Sequence, residues 1–176
     1  LRNARGPGHP DTLAEMDSLA AVYGHHGRAV EARKLEEQVL EARQHTLGEQ
    51  HPQTLRTMRR LAEAYEAEGR HTEAERLHLQ TLDAMKTAFG PGDPDTLTQM
   101  NTVAHMHLRH DEPQRAAEMF EKILEIQQHA LESGHADTLE TLHNLAQTYQ
   151  RLGRSQDAEA ICQQALQTLR QQANAD

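Results

Sequence analysis

Three arginines, Arg56, Arg59 and Arg60, stand at i, i+3 and i+4, a spacing that gathers their guanidiniums on one face of a helix. Cations so grouped repel one another, and each can grip a carboxylate through two parallel hydrogen bonds. The pattern points to an acidic ligand; the competing reading pairs the arginines with Glu63 and Glu66 across one turn. Thirteen histidines raise metal binding, most densely at His105, His107 and His110. At about 100° per residue, His105 and His107 point about 200° apart and cannot share an ion. His107 and His110 could, with Asp111 as a third ligand. No HExxH or equivalent spacing occurs, so no metal is expected. Cys162 is the single cysteine, which excludes an internal disulfide and a Cys-rich zinc site. A catalytic thiol needs a positioned histidine base, and the sequence supplies none. No Ser-His-Asp logic, phosphate loop or paired-acid arrangement stands out either. The chain is expected to be non-catalytic and to need no cofactor.

Charge narrows the partners. With 18 basic and 27 acidic residues the formal charge is -9, and the summed field repels nucleic acid and anionic membranes. No apolar run approaches the roughly 18 residues of a membrane span, and no signal-peptide pattern opens the chain. The lone cysteine fits a reducing compartment, so a cytoplasmic location is expected.

The elements that must position these residues come from an internal repeat. Four segments of 42 residues superpose without a gap: His9–Gln50, His51–Gly92, Asp93–Gly134 and His135–Asp176. Position 4 is always Thr (Thr12, Thr54, Thr96, Thr138) and position 5 always Leu (Leu13, Leu55, Leu97, Leu139). Alanine fills position 12 (Ala20, Ala62, Ala104, Ala146) and position 24 (Ala32, Ala74, Ala116, Ala158), and leucine fills position 32. Each repeat reads as two helices. Pro10, Pro52 and Pro94 suit a first helical residue, with Ala136 in the fourth repeat. Apolar positions 5, 8, 11, 12 and 15 form one stripe and positions 24, 27, 31 and 32 a second. Gly27, Gly69 and Gly153 close the first helix, and Gly48 and Gly90 the second. The fixed alanines are expected where two helices approach closely. Arg28/Glu31, Arg70/Glu73 and Arg154/Asp157 become Glu112/Arg115 in the third repeat, an i,i+3 pair with both signs reversed.

These residues resemble a known family. Met16, Leu19, Ala20, Tyr23 and Ala32 have the spacing of the tetratricopeptide pattern, and the 42-residue period resembles the long repeats of kinesin light chains. Similar arrays occur attached to signalling ATPases. The resemblance implies an all-α, right-handed superhelical solenoid of four helix-turn-helix repeats, its first helices lining a concave groove. The third repeat departs from the pattern at His107, Asp111 and Glu112, and looser packing is expected there. Position 107 is a tyrosine in the other repeats, so a packed histidine competes with a ligating one.

If that groove carries over, positions off the apolar stripe line it. They include Arg56, Arg59 and Arg60 in repeat two, Asn101, His105 and Arg109 in repeat three, and His143, Asn144, Gln147 and Arg151 in repeat four. In an acidic protein this strip is enriched in Arg, Asn, His and Gln. Asn101 and Asn144 can both donate and accept, which suits peptide main chain, and they resemble the asparagines that hold it in related grooves. The expected function is a scaffold binding an extended acidic or carboxylate-bearing peptide. The rival is a regulatory, sensor or self-association segment of a larger signalling protein, associating through the solenoid ends. Residues 1–8 align with the tail of a preceding repeat, so a fragment of a longer array is expected. His9, His51 and His135 read as capping or packing residues. Cys162 reads as a half-buried thiol, and Leu47, Phe89 and Leu131 as packing between repeats.

Overall fold

The computed structural model describes Gly6, residues 8–130 and residues 136–173. The expectations for residues 1–5, Leu131 and His135 lie outside the described residues. Eight helices are described: α1 Pro10–His25, α2 Ala29–Leu47, α3 Pro52–Ala67, α4 His71–Phe89, α5 Pro94–Arg109, α6 Pro113–Ala130, α7 Ala136–Arg151 and α8 Ser155–Ala173. The chain divides into two compact units, Leu1–Ala88 and Phe89–Asp176. In the first, α2 packs against both α1 and α3. In the second, α6 packs against both α5 and α7, and α7 against α8.

Small side chains set the packing. All eight repeat alanines are buried, Ala20, Ala62, Ala104 and Ala146 on the first helices and Ala32, Ala74, Ala116 and Ala158 on the second. An alanine at such a crossing lets the two backbones close in, which is how a chain poor in large apolar residues still packs helix on helix. Proline opens α1, α3 and α5, and the residue before each caps the helix. His9 Nδ1 accepts from the Asp11 N–H and His51 Nδ1 from the Gln53 N–H, both at 3.2 Å. Asp93 accepts from the Asp95 and Thr96 amides. The histidines are therefore caps, doing what Asp93 does in the next repeat.

The turn between the paired helices needs one left-handed residue. Gly27, Gly69 and Gly153 supply it at φ 71°, 74° and 72°, and Asp111 takes the same conformation at φ 57°. The turn is otherwise preserved, with the Glu112 N–H donating to the His107 carbonyl at 2.9 Å, as Arg28 does to Tyr23.

The third repeat is repacked rather than loose. In the other repeats an arginine lies over the tyrosine ring, Arg28 on Tyr23 at 4.2 Å, Arg70 on Tyr65 at 4.6 Å and Arg154 on Tyr149 at 4.2 Å. In the third, both partners change together. His107 is buried and its Nδ1 lies 2.8 Å from Glu112 Oε2, while Arg115 reaches Glu112 at 3.1 Å. The expectation of looser packing overlooked that the tyrosine and the arginine are one interaction, replaced as a pair.

Two further expectations are corrected. Cys162 is exposed, although its counterparts His78 and Phe120 are buried. No described helix covers the outer side of α8, where Leu166 and Leu169 are also exposed. Leu47 is 42% exposed rather than packed between repeats, and Phe89 is half-buried.

Candidate functional site

The sequence-predicted residues fall on first helices, and each unit presents its own set. In the first unit α3 carries Arg56, which is exposed, and Arg59 and Arg60, which are half-buried. Arg60 lies 3.5 Å from Asp17 Oδ1 on α1, and Arg59 Nε lies 4.0 Å from Glu63. Asp17 also meets Arg43 of α2 at 2.6 Å, and Arg43 donates to Thr57 Oγ1 at 2.6 Å. One carboxylate thus ties three helices together. Arg60 is partly committed to that structural network, and of the three arginines Arg56 is the most exposed.

A cleft of about 320 Å³ opens among α1, α2 and α3. Seven of its eleven lining residues are alanine or glycine, Ala20, Gly24, Ala32 and Ala64 among them, and His25, Glu36, Arg60 and Glu63 complete it. The side chain of Glu36 lies in this wall, 3% exposed, with Oε2 making no hydrogen bond. Burial, followed by the neighbouring Asp17 charge, pushes its carboxyl up to about 7.

The second unit holds the remaining residues. Asn101 is half-buried on α5, beside His105, whose ring meets Phe120 edge-on at 5.5 Å. Burial, then the Arg109 charge, holds the His105 imidazole below its ordinary pKa. On α7, Asn144 is half-buried, while His143, Gln147 and Arg151 are exposed, with His143 Nε2 2.9 Å from Gln147 Nε2. Asn101 shares a cavity of about 440 Å³ with residues of α6 and α7. The other α7 residues named from the sequence lie further along that helix and do not line it.

Several buried polar residues escaped the sequence reading, Glu36 of α2 and Gln127 of α6 among them. Both sit on second helices, where only apolar stripes had been sought. A signal existed: Glu36 shares its column with Phe120, and Gln127 shares its column with Met85.

The comparisons with known proteins agree with this geometry. A tetratricopeptide repeat family model matches residues 12–87, 54–129 and 95–171. The chain belongs to the tetratricopeptide repeat family. It is similar to the nearly identical TPR-like repeats of a Podosopora anserina protein named for kinesin light chain, at 30% identity and a TM-score of 0.83, over 96% of this chain and 80% of that one. BtubC (BKLC) from P. vanneervenii is similar at 24% identity and a TM-score of 0.80, over 100% of this chain and 68% of that one. The apo form of RapI shares the fold at 13% identity and a TM-score of 0.75, over 98% of this chain and 60% of that one. No protein of curated function matches the sequence. The fold is all-α, the repeats are of the kinesin-light-chain-like type, and such repeats are in general protein-interaction scaffolds. No helix among the described residues is long and apolar enough to cross a membrane.

Proposed function

We propose that this tetratricopeptide repeat chain is a non-catalytic scaffold whose first-helix faces bind an extended acidic or carboxylate-bearing peptide. The supporting observation is the face of α5 and α7. Asn101, Asn144 and Gln147 offer paired donors and acceptors for main chain, and exposed Arg109 and Arg151 stand at the C-terminal ends of the two helices. In a chain of charge -9, exposed arginines beside uncharged polar groups favour a ligand of opposite sign. Arg56 adds an exposed cation on α3 of the other unit.

Fluorescence anisotropy against acidic, neutral and basic peptides at low and moderate salt tests this. The expected result is selective binding of acidic peptides that weakens with salt and is lost in Arg151→Glu. Equal affinity for all three classes, or none for any, defeats it. A second reading, self-association or docking within a larger protein, draws on the apolar side chains left exposed, Leu19, Val22 and Val30 in one unit and Leu166 and Leu169 in the other. Sedimentation that stays monomeric at high concentration counts against the self-association form of it.

A further inference from the structure

In the cleft among α1, α2 and α3 we infer a pocket for one uncharged apolar side chain of a peptide ligand. The pocket rests on the peptide-binding reading of the first-helix faces and adds to it an anchor that does not depend on an acidic preference.

The repeat supplies a mould of the missing group. The columns that line the cleft recur on α5 and α6 with larger side chains: Ala21 aligns with His105, Gly24 with Leu108 and Glu36 with Phe120. Phe120 is fully buried and the His105 ring meets it edge-on at 5.5 Å. The second unit thus closes this place with its own apolar groups, and the first leaves about 320 Å³ open there. An apolar cavity of roughly 150 Å³ is room enough for benzene, so a leucine-sized side chain fits.

Charge complementarity selects an uncharged occupant. Arg60 and Glu63 bring opposite charges to the lining, and each has a neighbour already: Arg60 lies 3.5 Å from Asp17, and Glu63 lies 4.0 Å from Arg59. A ligand cation or anion would have to compete with these pairs, whereas an apolar group leaves them intact. Glu36 lines the same cleft at 3% exposure, with Oε2 shut into the helix packing and unbonded.

That carboxyl makes occupancy depend on pH. Burial pushes it up to about 7; Asp17 of α1 and Glu63 of α3 disfavour its ionised form, and Arg60 of α3 and Arg43 of α2 favour it. His25 of α1 completes the ionisable groups of the lining. An apolar occupant displaces water from the wall and so favours the neutral carboxyl further. The neutral fraction falls from about nine-tenths at pH 6 to about one-tenth at pH 8, and affinity falls with it, about tenfold.

The test is a ¹H–¹³C methyl NMR titration of the full chain, labelled at alanine, with N-acetyl-leucine methylamide. N-acetyl-glycine methylamide is the control that lacks the side chain. The leucine probe is expected to shift the Ala20, Ala32 and Ala64 methyl signals and to bind about tenfold more weakly at pH 8 than at pH 6. The glycine control should leave them in place. Glu36→Gln should bind the leucine probe equally at both pH values. Glu36→Phe, which copies Phe120, should close the pocket and abolish the response with the helical signature in circular dichroism kept; if that variant does not fold, Glu36→Gln decides alone. Unmoved alanine signals, equal shifts from glycine, wild-type affinity that is the same at both pH values, or a pH dependence that survives in Glu36→Gln overturns the inference. A tetraglutamate peptide, titrated separately, reports on the side-chain amides of Asn144 and Gln147. A response there with leucine silent removes the pocket and keeps the acidic reading; the reverse pattern does the opposite.

Discussion

Glu36 allows a prediction whose size and sign both follow from its surroundings. The carboxyl lies in the wall of the small-residue cleft, 3% exposed, with one oxygen unbonded. Asp17 of α1 and Glu63 of α3 disfavour its ionised form, while Arg60 of α3 and Arg43 of its own helix offset part of the cost; burial outweighs them all. The folded carboxyl accordingly titrates at about 7 against an ordinary value of 4.5. Between those two pH values the folded chain keeps a proton that the unfolded chain has released, so stability must fall as pH rises. Each pH unit crossed is worth about 1.4 kcal/mol, giving about 3 kcal/mol over the window. Because the cleft opens to solvent, about 2–3 kcal/mol is the expected loss. Glu36→Gln retains the shape and removes the titration. Urea unfolding of both proteins from pH 4 to pH 8 isolates the effect, since groups that do not interact with Glu36 cancel in the difference. The two should be nearly equal below pH 4.5. The variant should then gain steadily until about pH 7 and stay ahead above it. A difference that is constant with pH, or wild type gaining on the variant as pH rises, would refute the argument.

Other substitutions test the repeat register. Asp111→Gly should stabilise by about 0.5–1 kcal/mol in denaturant melts, because φ 57° is a glycine conformation that aspartate adopts at a cost; a loss of stability would mean its side chain holds the turn. Ala104→Leu places a large side chain at a fully buried crossing and should cost about 1–3 kcal/mol; a neutral result would show that the helices do not meet there. Tyr149→Phe removes a 2.7 Å hydrogen bond to Glu121 and should cost about 1 kcal/mol, since the exposed carboxylate can rehydrate. The tyrosine, whose hydroxyl burial holds at about 12, should show no ultraviolet ionisation step near pH 10.

The fold was legible because the repeat supplies its own alignment. A column that is alanine four times over reports a packing constraint with no structure in hand, and Ala20, Ala62, Ala104 and Ala146 are indeed buried. The turn was legible in the same way: glycine at three of four copies names a left-handed position, and Asp111 fills the fourth. The candidate site was less legible, because its chemistry depends on differences between copies rather than on their likeness. Arg56, Arg59 and Arg60 look equivalent in sequence, yet Asp17, more than one repeat earlier in number, reaches Arg60 and leaves Arg56 to solvent. Spacing along one helix cannot disclose a partner on another. Gln127 and Arg43 make the point most sharply. The two occupy one column, and the sequence offers no ground for treating one as a satisfied structural residue and the other as part of an opening. The difference appears only when Asp17 and Thr57 are seen to enclose Arg43, while Asn101 and Thr141 stand beside a cavity that Gln127 does not fill. In a solenoid of near-identical copies, function is to be sought where one copy lacks what its neighbour uses to close the same space.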